Sequence, residues 1–101
     1  LESEIAVDDM RSIAINLREK VKSGVVVLST INSGKPLLVA AVSPEAIKLG
    51  IKAGDLIKIG SATLGGGGGG KDDFAQGGGV DVSAISKALT EITKLIEGKV
   101  N

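Results

Sequence analysis

The chain has 101 residues, room for one compact domain but not two. Twelve basic side chains balance twelve acidic ones, so any attraction to phosphate must come from local charge placement and not from net charge. With no Cys and no His, the chain lacks disulfides, thiol nucleophiles, zinc–thiolate centres and the side chain that titrates nearest neutrality.

Apolar residues make up 43% of the chain and Phe74 is the single aromatic, so an aliphatic core is expected. Charge, Gly or Pro interrupts each apolar run too soon for a membrane span. The chain starts at Leu1 and shows no signal-peptide pattern, which suggests a piece of a longer cytoplasmic protein. On that reading 1–101 is a single domain, and residues 1–8 continue an upstream helix or linker.

Met10, Ile13, Ala14, Leu17 and Val21 recur at helical spacing and predict a first helix. Asp8 and Asp9 suit its start, Lys20 and Lys22 its end, and Gly24 its closing residue. Val25 to Ile31 is a nearly unbroken β-branched and aliphatic run, as expected of a strand covered on both faces. A turn over Asn32-Ser33-Gly34-Lys35 leads through Pro36 into a second run, Leu37 to Val42, so residues 25–42 read as a β-hairpin. Ser43-Pro44-Glu45 then carries the cap, the first-turn proline and the acidic residue of a helix start. Gly50 cuts that helix short, and Ala53-Gly54-Asp55 restarts the chain. Leu56, Ile57, Ile59 and Leu64 fit neither period cleanly, with helix the favoured reading of 55–64.

Gly65 to Gly79 reads GGGGGGKDDFAQGGG, with nine glycines in fifteen residues. Asp81 follows as the cap of a last helix whose Ile85, Ala88, Leu89, Ile92, Leu95 and Ile96 form one apolar face, with Gly98 at its end. That face is expected in the core, with any exposed remainder open to dimerisation. The fold class is therefore α/β (α+β): a small sheet containing a hairpin, flanked by helices, with a Gly-rich loop before the C-terminal helix.

The glycine segment admits three readings. A flexible linker is the simplest, but Phe74 lies in its middle and the helix after it must return to the same core. Gly65, Gly70 and Lys71 meet the spacing of a phosphate-binding P-loop, yet Asp72 stands where that motif needs Ser or Thr. The favoured reading is a binding surface. Residues without Cβ let another backbone come close, and successive N–H groups turned inward would make an anion-binding concavity with Lys71 at its rim and Phe74 as anchor. Such a surface suits a ribose-phosphate backbone, since nothing nearby supplies an acid or base. Asp72 and Asp73 read as solvated loop carboxylates, and Ser29, Thr30 and Ser33 have no partner that would make them nucleophiles. Lys35, Lys48, Lys52, Lys58 and Lys71 become phosphate contacts only if they share a face.

Gly65–Gly70, Lys71, Asp73-Phe74-Ala75-Gln76 and Gly77-Gly78-Gly79, followed by an Asp-capped helix, resemble the end of alanyl-tRNA synthetases, the C-Ala, DHH-associated type of domain. The strand after the first helix, the Gly34-Lys35 turn and Ala53-Gly54-Asp55-Leu56 extend the resemblance from about Met10 onward. Asp72 departs from the family, which often has Pro there. The resemblance implies a domain that binds the outer corner of transfer RNA and helps the aminoacylation and editing domains act on one molecule. Its RNA contacts would be Gly68, Gly69, Gly70, Lys71, Gln76, Gly77 and Gly78, with Lys35 and Lys52 beside them. It implies no catalytic residue, metal ligand or cofactor in this chain; the parent would be a ligase using ATP, magnesium and a zinc site elsewhere. The implied partners are alanine tRNA, the other synthetase domains and a homodimer, with no membrane. The alternatives are a dimerisation module, or the accessory nucleic-acid-binding domain of a DHH-type phosphoesterase. In the latter the matching glycine segment typically carries a His, which this chain lacks.

Overall fold

The computed structural model describes residues 12–13, 15–16 and 24–100, built on one antiparallel sheet. Ser12, Ile13, Ile15 and Asn16 are helical, in line with the first stripe. The rest of that stripe, with Asp8, Asp9, Lys20 and Lys22, lies outside the described residues.

Strands β1 (Val25–Asn32) and β2 (Lys35–Val42) form the expected hairpin. Its two-residue turn takes φ of 54° at Ser33 and 77° at Gly34, the left-handed pair that matches the twist of the flanking strands. The sheet runs β1-β2-β4-β3, which corrects one expectation. β1 is an edge strand whose residues from Val25 to Thr30 are only half-buried, and the strand covered on both faces is β2, buried throughout Leu38–Val42. An unbroken apolar run identifies a strand without revealing which of two neighbours lies inside.

Ser43 caps helix α1 (Pro44–Lys48), which ends before Gly50 at φ 95°. Its Oγ accepts from the Ala46 N–H at 3.3 Å and from the Gly24 N–H at 2.9 Å, joining the helix start to the head of β1. Ser43→Ala strips two N–H groups of their acceptor and is expected to cost about 1–3 kcal/mol, read as a lower urea midpoint with an unchanged slope.

Residues 55–63 are helical as expected, within α2 (Ala53–Thr63), and Leu64 is its C-cap. Strands β3 (Gly67–Gly70) and β4 (Phe74–Gly78) follow, then a single 3₁₀ turn (Val82–Ala84) and helix α3 (Ile85–Val100). The glycine segment is thus a second hairpin and not a loop, a further correction. Asp81 Oδ1 accepts from the Ser83 N–H at 3.0 Å and opens the last helical segment as expected. Gly98 does not end it: α3 continues to Val100, because Gly98 is exposed and keeps a helical backbone.

α2 and α3 cover one face of the sheet. Leu38, Ala40, Val42, Leu56, Ile57, Leu64, Ala75, Ala88 and Ile92 make the main core between them. Val39 and Ala41 point the other way, with Val26, Leu28, Leu37 and Phe74 packed around them. Phe74 therefore anchors the glycine hairpin on the outer face of the sheet, opposite the main core. The stripe of α3 is spent on the core, and Ser86, Lys87, Thr90, Thr93, Lys94 and Glu97 leave its exposed side polar.

Candidate nucleic-acid interface

The β3–β4 hairpin pairs Gly67 with Gly78, Gly68 with Gly77, Gly69 with Gln76 and Gly70 with Ala75. Lys71 N–H donates to Phe74 O at 2.9 Å and closes it. Antiparallel ladders alternate, so from that bond the N–H groups of Gly69 and Gly67 turn to β4 and those of Gly68 and Gly70 to the open edge. The expected concavity of inward N–H groups is replaced by a ladder that uses every second one.

Side-chain positions alternate between the two faces as well, and this divides the glycines into two sets. Gly68, Gly77 and Gly79 face the helical layer. A Cβ at Gly77 would lie 2.7 Å from Ile57 Cγ2, one at Gly68 2.7 Å from Gln76 O, and one at Gly79 2.5 Å from Leu64 Cβ. These positions are glycine because α2 rests directly on sheet backbone. Gly67 and Gly69 face outward, where a Cβ would meet none of the described residues within 4 Å, and neither has a left-handed φ. The described residues give no steric reason for glycine at these two.

Around Gly67 and Gly69 the described residues leave two openings on the outer face. A cavity of about 250 Å³ opens over Gly67 and Gly78, walled by Leu37, Val39 and Gln76. Across Gln76 a second, of about 300 Å³, is lined by Gly69, Lys71, Asp73, Phe74 and Ile15. Gln76 is exposed between the two.

The turn that carries Lys71 is held rigidly. Lys71 O and Asp72 O accept from the N–H groups of Gly54 (3.1 Å) and Ala53 (2.8 Å), and Asp73 O accepts from Val42 N–H at 2.9 Å. The first N–H groups of α2 are thereby satisfied by the hairpin tip and are not open to an anion. Lys52, the residue before α2, is brought to the same end of the molecule as Lys71. Lys35 is not: it begins β2, whose seven steps to Val42 span about 24 Å. Lys48 and Lys58 sit on α1 and α2, on the helical side, so the five lysines do not share a face.

No group of three or more His, Cys, Asp or Glu side chains able to hold a metal forms among the described residues, and with no His or Cys the chain lacks the donors of a zinc site. Among the described residues no helix is long and apolar enough to cross a membrane.

The family model for the DHHA1 domain matches residues 1–98. The chain belongs to the DHHA1 domain family. Its fold is that of the C-Ala domain from Aquifex aeolicus alanyl-tRNA synthetase, with a TM-score of 0.85 and 30% identity over 94% of this chain and 85% of that one. It is 48% identical over 89 residues to an alanine–tRNA ligase of Herpetosiphon aurantiacus and 40% identical over 101 residues to that of Thermobifida fusca. The matches cover 88% and 97% of this chain but only 10% and 11% of those relatives, so this DHHA1 domain spans about a tenth of their length. It is thus a C-Ala-type domain of the alanyl-tRNA synthetase family.

The sequence pattern singled out Gly68, Gly69, Gly70, Lys71, Gln76, Gly77 and Gly78. In the DHHA1 domain these gather on one hairpin, with Gly69, Gln76 and Gly78 on its outer face and Gly68 and Gly77 against α2. Gly67, Leu37 and Val39 also border the outer face and were not singled out. Strand alternation would have found Gly67 had the segment been read as a hairpin turning at Asp72.

Proposed function

We propose that the outer face of the β3–β4 hairpin binds the outer corner of transfer RNA, and that the domain does so for the aminoacylation and editing parts of an alanine–tRNA ligase. The observation that carries this reading is the pair of outward glycines. A strand-interior Gly costs roughly 0.5–1 kcal/mol relative to Ala, and none of the described residues makes use of the space that Gly67 and Gly69 leave. A bare backbone there admits a bulky, rigid partner at contact distance. Lys71 stands at the margin of this face with Lys52 behind it, suited to phosphate.

With a formal net charge of zero and one aromatic residue, the domain is built to recognise shape and backbone, not to capture single strands by stacking. Its side chains bind and orient. The ligase chemistry, with its ATP, magnesium and zinc, belongs to other parts of a cytoplasmic parent enzyme. The carboxylates of Asp72 and Asp73 flank Lys71 and hold affinity down, which suits a domain that works tethered to a second RNA-binding unit.

Titration of the chain with alanine tRNA at about 50 and 200 mM salt tests this reading. Wild type should bind more weakly at the higher salt. Lys71→Ala should lower affinity about tenfold at low salt and reduce the logarithmic salt slope by about one. Absence of wild-type binding at low salt, with concentration-dependent self-association in ultracentrifugation, would favour a homodimerisation module instead.

A further inference from the structure

Among the described residues, Gln76 is the side chain with hydrogen-bonding groups that stands between the two outer-face cavities. Its β3 partner is Gly69 and its β2 partner is Val39, and Gly67 and Gly78 lie two pairs further along, next on the same face. It is exposed, and its carboxamide makes no hydrogen bond to the described residues. It walls both outer-face cavities, the apolar one beside Leu37 and Val39 and the polar one beside Lys71.

We propose that Gln76 reads the edge of a nucleobase laid flat over Gly67 and Gly69, while Lys71 holds the phosphate of the same strand. This rests on the RNA-binding reading above and assigns a base contact within it. Three features support a base over a second phosphate. Gln76 is neutral and offers a donor and an acceptor side by side, which match a base edge. The walls next to it, Leu37 and Val39, are apolar and suit the face of a ring. The nearest cation on that face among the described residues, Lys71, is two residues along the chain from Gly69, about 7 Å by strand rise. That separation fits a nucleotide with its phosphate at the hairpin tip and its base on the floor.

The two outward glycines then have a stated use. A Cβ at Gly67 or Gly69 would project into the volume that the ring occupies, whereas the described residues leave that volume empty.

Gln76→Leu tests the proposal, since it keeps most of the volume and removes both polar groups. Because Gln76 is exposed, its unfolding midpoint should equal that of wild type. Against an alanine tRNA transcript it should bind roughly tenfold more weakly with an unchanged salt slope, while Lys71→Ala lowers the slope. Against transcripts with single base changes at the outer corner, wild type should discriminate and Gln76→Leu should not. Unaltered affinity in Gln76→Leu, beside a weakened Lys71→Ala, overturns the base contact and leaves the RNA surface standing. A lower salt slope in Gln76→Leu assigns the side chain to phosphate and also overturns it. Failure of wild type to bind the transcript overturns both readings together.

Discussion

Gly79→Ala is expected to lower the thermal midpoint by about 10–20 °C, whereas Gly69→Ala should leave it unchanged or slightly raised. At Gly79 the new methyl would stand 2.5 Å from Leu64 Cβ and 2.6 Å from the Leu64 carbonyl carbon, at the end of α2. That end cannot simply yield. Val80 N–H donates to Leu64 O at 2.9 Å, and Gly79 N–H donates to Pro36 O at 3.2 Å on the other side. Overpacking against fixed backbone costs about 1–3 kcal/mol or somewhat more, and each kcal/mol moves the midpoint of a domain this size by about 4–8 °C. At Gly69 the methyl enters open space at an ordinary φ, and the smaller entropy of the unfolded chain favours Ala by about 0.4–1 kcal/mol. Circular dichroism melts of the two variants separate a glycine the fold needs from one it does not.

The second large effect is expected at Ile57. It is fully buried in α2, and its Cγ2 lies over both Gly68 and Gly77. Ile57→Ala removes the side chain that fills the gap between helix and sheet, at a cost of about 2–5 kcal/mol depending on how far the site collapses. Collapse is restricted here, because the surface beneath is backbone already paired on both sides in β4, so the upper half of that range is expected. Ile59→Ala, two residues on and only half-buried, should cost about 1 kcal/mol. Urea unfolding of the two variants measures the difference.

Much of this fold is legible in the residues, and the exceptions have one origin. The first hairpin, the Ser43 cap and the apolar face of α3 are each written by side chains whose spacing repeats. α2 is not, because its buried positions are Ala53, Leu56, Ile57, Gly60 and Ser61. Three of the five are small, since the helix lies close against its neighbours: a Cβ at Gly60 would be 2.7 Å from Leu38 Cδ1 and from Ile92 Cδ1. A helix chosen for close approach loses the bulky periodic stripe by which helices are recognised. The glycine hairpin is the same case taken further. Strands are read from alternating side chains, and Gly67–Gly70 has none. Its pairing is dictated by tertiary contacts, chiefly the hold of the Lys71–Asp73 turn on α2 and β2.

The candidate site was legible by motif more than by geometry. Lys71, Gly69, Gln76 and Gly78 come from the Gly-rich pattern and meet on one face. Lys35 lies at the far end of β2, because lysine positions carry no information on which end of a strand meets which turn. Ser61 is a different instance of what spacing does not reveal: its buried Oγ has no hydrogen-bond partner and lies against Gly77, at the tight helix–sheet contact.

The central claim is that Gly67 and Gly69 are glycine for the sake of a bound RNA and not for the fold. The most direct measurement is the affinity of the Gly67→Val, Gly69→Val double variant for alanine tRNA at low salt, taken together with its melting curve. A native-like melt with binding reduced at least tenfold is the predicted result. A native-like melt with wild-type affinity would contradict the account and place any RNA surface elsewhere on the domain.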